Sequence, residues 1–143
     1  MIKFLVPIDG SEHSSRTVDF LLQSLSLYKD AVHVDLLTVQ RPLPGGIRVG
    51  SALGHEKVRQ YHRDEGENVL KSARARLAAA GVHCESHIAV GDPADVIVQY
   101  AREKKSDQIV IGARGAGAVS SLLLGSVATK VIHLAALPVL VVK

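Results

Sequence analysis

The chain has 143 residues, the size of one domain, and is 47% hydrophobic and 22% charged, with 17 basic and 14 acidic side chains giving a net charge of +3. That balance is too mild to imply a polyanion partner. With two Phe, three Tyr and no Trp, the chain also lacks the aromatic platforms on which single-stranded nucleic acid or a flavin stacks, so no nucleic-acid partner is expected.

Cys84 is the single cysteine, which rules out an internal disulfide, and the opening MIKFLVPIDG is not the basic-then-apolar pattern of a secretion signal. No apolar run approaches the roughly 20 residues that cross a bilayer. A soluble protein of the reducing cytoplasm, with no membrane partner, is the expectation, and residues 1–143 read as one domain.

Ile2 to Ile8 is apolar apart from Lys3 and stops at Asp9-Gly10-Ser11, which predicts a buried strand and a turn. Val18, Leu21, Leu22, Leu25 and Tyr28 then recur at helical spacing. His33 to Val39 predicts a second strand, and the Gly- and Pro-bearing stretch from Gln40 to Gly54 a loop that could cover a site. A helix follows over roughly Glu56 to Ala80, with Val58, Tyr61, Val69, Ala73 and Leu77 as its core stripe and Gly81 as its stop. His83 to Val90 predicts a third strand. Asp92 and Pro93 suit an N-cap and a first helical position, with Ile97, Val98 and Ala101 on the buried side. Asp107 to Gly112 predicts a fourth strand; a glycine-rich loop, a helix to about Ala136 and a fifth strand over Pro138 to Lys143 complete the chain.

Alternating strands and helices predict an α/β fold: a doubly wound, five-stranded parallel sheet with helices on both faces. Periodicity does not fix the strand order; the first and fourth strands, the most apolar runs, are expected to be central, and 3-2-1-4-5 is the order expected. Ligands in such sheets lie beyond the carboxyl ends of the strands where the order reverses, which sets Asp9 opposite Gly112.

The segment IVIGARGAGAVSSLLLGS places Gly112, two residues, Gly115, nine residues, then Gly125 and Ser126 at a helix start. Glycines permit positive φ and close backbone approach. N–H groups at Gly125, Ser126 and Val127 suit a phosphate, and the Ser126 hydroxyl suits a phosphate or Mg²⁺. Glycines also serve as plain turn formers in every α/β protein, and the spacing matches neither the P-loop nor the dinucleotide fingerprint.

The spacing resembles the ATP motif of the universal stress protein family, matching at Gly112, Gly115, Gly125 and Ser126. The opening IKFLVPIDGSEHS, the strand DLLTV, the turn GDP and the ending HLAALPVLVVK are similar to that family as well. The resemblance implies an adenosine pocket lined by Pro7, Ile8, Asp9 and Val39, with Asp9 orienting the adenosine. Phosphates would lie on Gly112, Ala113, Arg114 and Gly115 and on Gly125, Ser126 and Val127, with Ile111 also among the nucleotide-binding residues. Many relatives have Ser and His where this chain has Ala113 and Arg114; Arg114 either pairs with a phosphate or points to solvent.

Asp9, Ser11 and His13 include the residue types of a hydrolase triad, yet three residues this close suit a strand end and a helix cap better. His83 and His87 lie about 13 Å apart on a strand and are expected at a solvated edge; His55 and His62 are expected in solvent and Cys84 in the core. No metal-ligand set is assigned. The last strand is apolar on both faces and predicts a homodimer paired along Pro138 to Val142, as the resemblance also implies.

With no activated nucleophile or general base beside the glycines, the expectation is a non-enzymatic protein with at most slow hydrolysis. It binds ATP with Mg²⁺ and acts on an unidentified regulatory protein partner in a stress response. The competing readings are a dimeric interaction module that binds no nucleotide, and an adenylate-forming enzyme.

Overall fold

The computed structural model describes residues 1–43, 52–115 and 123–143. The loop expected over Gln40 to Gly54 lies largely outside them, as does part of the segment between Gly115 and Gly125. Element order is β1 (Ile2–Pro7), α1 (Glu12–Ser24), a 3₁₀ turn (Leu25–Leu27), β2 (Val32–Gln40), α2 (Ala52–Ala79), β3 (His83–Val90), α3 (Pro93–Glu103), β4 (Gln108–Gly112), α4 (Ser126–Leu134) and β5 (Val139–Val142).

The five strands form one parallel sheet in the order β3-β2-β1-β4-β5, as the sequence predicts. Period-two alternation along the strands divides the core in two. Phe4, Val6, Ile8, Val34, Leu36 and Val110 face Val18 and Leu21 of α1 and Leu70, Ala73 and Leu77 of α2. Leu5, Leu37, Ile109 and Ile111 face Ala94, Ile97 and Ala101 of α3 and Ala128 and Val131 of α4. Both faces are covered, which is why the central strands read as nearly unbroken apolar runs.

The helix ends follow local chemistry. Ser11 caps α1 by accepting from the Ser14 N–H, and Gly81 supplies the left-handed residue (φ +72°) after α2. Asp92 caps α3 by accepting from the Asp95 N–H, with Pro93 in the first turn. Lys130 of α4 reaches back to Asp92 (3.0 Å) and Asp95 (3.4 Å), tying the two helices together. Its ammonium, then the Asp95 N–H, hold the Asp92 carboxyl below the usual carboxylate range.

The long helix corrects the sequence reading in its phase. Tyr61 is 47% exposed, whereas His62, expected in solvent, is 6% exposed and buried. Leu70, Ala73 and Leu77 set the buried stripe, and steps of four back from Leu70 reach Gly66, His62 and Val58. Gly66 is required by packing: a Cβ there would lie 2.7 Å from side-chain carbons of Ile88 on β3. Cys84 is half-buried against the α1/α2 side of the core, and burial pushes its thiol pKa up.

Two outcomes follow. Gly66→Ala lowers the unfolding free energy by about 1 kcal/mol in urea denaturation, because overpacking against Ile88 outweighs the better helix propensity of alanine; in an Ile88→Ala background the same substitution becomes neutral or stabilising. Asp92→Ala lowers Tm more than Asp92→Asn, which retains the cap. A carboxyl whose folded pKa is depressed adds stability that is lost as pH falls through that folded value, so the gap between the native chain and Asp92→Asn is present at neutral pH and closes in acid.

Candidate functional site

β1, β2 and β4 end together at the carboxyl edge of the sheet, and the chain departs from β1 and β4 to opposite sides. The gap between these departures is a cavity of about 370 Å³. Pro7, Ile8 and Asp9 form one wall, with Leu37, Val39 and Arg41 from the end of β2 beside them. Pro93 and Ile97 of α3 close the far side, and Ser14 of α1 together with Ile111, Gly112, Arg114, Gly115, Gly125, Ser126, Val127 and Ala128 supply the rest.

The lining is divided by chemistry. Ile8, Val39, Ile97, Ile111 and Val127 make an apolar slot that suits a flat heterocycle, while the head of α4 makes the polar end. Gly125 occupies the N-cap position and has no side chain to cap the helix, so the first-turn N–H groups and the positive end of the helix dipole favour an anion there. Arg114 is half-buried and Arg41 stands at the mouth, both cationic.

Eleven of the twelve residues predicted for the site line this cavity; Ala113 does not. It is 2% exposed and works through its backbone: its carbonyl accepts from the Gly125 N–H (2.7 Å) and its N–H donates to the Val142 carbonyl (2.7 Å). The glycines serve close approach rather than positive φ, which occurs among the described glycines at Gly10, Gly81 and Gly91. A Cβ on Gly115 would lie 2.6 Å from the Asp9 carboxylate, so Gly115 rather than Gly112 is the residue that abuts Asp9; a Cβ on Gly112 would lie 3.2 Å from the His13 carbonyl.

Asp9 Oδ1 accepts from the Ser11 N–H (2.9 Å) and the Ser11 hydroxyl, fixing the turn from β1 into α1. Ser11 is a helix cap, as expected from the sequence. Ser14, Leu37, Arg41, Pro93, Ile97 and Ala128 were missed; the apolar side of α3 was legible, but its position over the crevice depends on tertiary packing.

A second correction concerns the histidines of β3. His83 and His87 are expected at a solvated edge, and His83 is exposed, but its Nδ1 lies 2.6 Å from Nδ1 of His33, and His87 Nε2 lies 2.8 Å from Asp35 Oδ1. Each meets a residue of β2, a pairing set by register (His33↔His83) that spacing within one strand does not reveal.

The whole chain, residues 1–143, matches the Universal stress protein family. It is 34% identical over 146 residues to Universal stress protein YxiE of Bacillus subtilis, the match covering 99% of this chain and 98% of that one. Among solved structures, hypothetical protein MJ0577 superposes with a TM-score of 0.85 at 29% identity, covering 99% of this chain and 95% of that one. The universal stress protein from Archaeoglobus fulgidus in complex with dAMP gives 0.66 at 28% identity, covering 100% and 98%. With a family match from the first residue to the last, a relative 34% identical over nearly its whole length, and solved structures that share the fold, the chain belongs to the universal stress protein family.

Proposed function

We propose that this protein is an adenine-nucleotide-binding regulatory protein, with ATP and Mg²⁺ as its ligand, acting as a homodimer on a protein partner in stress adaptation. The observation that carries the proposal is the union, in one cavity, of an apolar slot at the ends of β1, β2 and β4 with the uncapped head of α4. The base would lie in the slot near Asp9 and Val39, and the phosphates on the N–H groups around Gly115 and Ser126 with Arg114 as a charge-assisted donor. The Ser126 hydroxyl and phosphate oxygens would hold Mg²⁺. The complex of the Archaeoglobus fulgidus relative with dAMP supports an adenine nucleotide as the ligand class.

The protein is proposed to hold ATP without turning it over efficiently. Among the described lining residues Asp9 is the acidic side chain, and it is engaged by Ser11. Homodimerisation is proposed along β5, a sheet edge whose four residues are all half-buried. Pro138 and Val142 aim their carbonyls at β4, so alternation turns the N–H groups of Val139 and Val141 outward, where an antiparallel second copy would pair with them.

Calorimetric titration with Mg-ATP, AMP and dAMP tests the ligand. Saturable heat is expected, weakened at least tenfold (about 1.4 kcal/mol) in Gly115→Val, whose side chain would enter the space of Asp9. Absence of heat with all three would replace this reading with a dimeric interaction module; rapid saturable turnover lost in Ser126→Ala would make the protein an ATPase. By analytical ultracentrifugation Val141→Pro, which removes an outward N–H, is expected to convert dimer to monomer with little change in Tm.

A further inference from the structure

At the other end of β2 and β3, four to six residues upstream of the cavity-lining Val39, the two strands bring His33 and Asp35 beside His83, Glu85 and His87 on one face of the sheet. From this cluster we propose a second site, for a divalent transition-metal ion of the zinc type. His33 Nε2 and the carboxylates of Asp35 and Glu85 are its protein ligands, and water holds the remaining position.

The first reason is a buried charge. Asp35 is 2% exposed, and a buried carboxylate is costly unless a cation meets it. Among the described residues its ion-pair partners are two imidazoles, His33 Nε2 at 3.3 Å and His87 Nε2 at 2.8 Å from the same Oδ1, rather than a lysine or arginine. Two carboxylates sharing one divalent ion would neutralise it completely.

The second reason is geometry. One ligand atom each from His33, Asp35 and Glu85 fall within 4.8 Å of one another. Around a zinc-sized ion, with bonds of about 2.0–2.2 Å, tetrahedral ligand atoms stand about 3.3 Å apart. His33 and Asp35 already match that separation. Glu85, exposed on the edge strand and opposite Asp35 in register, is free of packing constraints that would stop it swinging in. Imidazole with carboxylates suits zinc and its neighbours rather than Mg²⁺ or Ca²⁺, which take all-oxygen sites.

The third reason is the outer shell. His33 Nδ1 lies 2.6 Å from His83 Nδ1. With the proton on His33 and the lone pair on His83, this contact holds His33 in the tautomer whose Nε2 is free to bind metal. His87 Nε2–H donates to Asp35 and orients its carboxylate, while Tyr100 of α3 packs against the His87 ring at 5.7 Å. Ligand imidazoles and carboxylates in zinc sites are commonly held by such second partners.

The test uses the full chain, stripped with chelator and free of nucleotide, titrated with Zn²⁺ alone by calorimetry and followed by thermal unfolding. One equivalent per chain and a raised Tm are expected. Glu85→Gln, at an exposed position, keeps the fold and abolishes the equivalent, and His33→Gln does the same. His87→Ala weakens binding by about tenfold. Cys84→Ser leaves Zn²⁺ binding unchanged, because Cys84 points to the opposite face of the sheet. Zn²⁺ binding that persists in Glu85→Gln and His33→Gln, or is lost in Cys84→Ser, would overturn the site, as would no thermal shift in the native chain.

Discussion

Parallel pairing governs this molecule. Every strand runs the same way, so every connection must travel back over a face of the sheet, and each strand-to-helix turn falls at the same edge. Where the chain leaves β1 toward α1 and β4 toward α4, adjacent strands send their continuations to opposite faces and a crevice remains between them. The cavity is therefore a by-product of topology, and the residues around it decide what it holds.

Around that crevice the glycines act by being small. Gly115 lets the chain after β4 lie against the Asp9 carboxylate, and Gly112 lets β4 pass against the first turn of α1. Asp9 in turn is fixed by Ser11, the cap of α1. The turn after β1 and the turn after β4 thus share one polar contact surface, and apolar walls from β2 and α3 meet it at an angle. A ligand with a flat apolar part and an anionic part fits that division.

Much of this was legible in the sequence because its causes are local. The apolar runs of β1 and β4 set them at the centre, Gly81 and Asp92-Pro93 mark helix ends by their own backbone chemistry, and the spacing of Gly112, Gly115, Gly125 and Ser126 identifies the loop. What escaped depends on partners distant in the chain. Tyr61 was placed on the core stripe with Val58, Val69, Ala73 and Leu77, yet the phase of α2 is set by Leu70, Ala73 and Leu77, which turn His62 inward. His83 and His87 looked solvated because their own strand shows only alternation, while the residues they meet, His33 and Asp35, lie some 50 positions earlier. Ala113 counted as a lining residue because the motif spans it, though its role is to lend its backbone.

That backbone role ties the crevice to the outer rim of the molecule. The amide of Ala113 is bonded to the carbonyl of Val142, and the carbonyl of Ala113 receives the amide of Gly125 at the head of α4. Through two successive peptide units, Ala113 thus joins the last residues of the edge strand to the start of the final helix. The physical connection between interior and edge therefore consists of two hydrogen bonds on the backbone of one residue, and no exchange of its methyl side chain for another, proline aside, removes either bonding group.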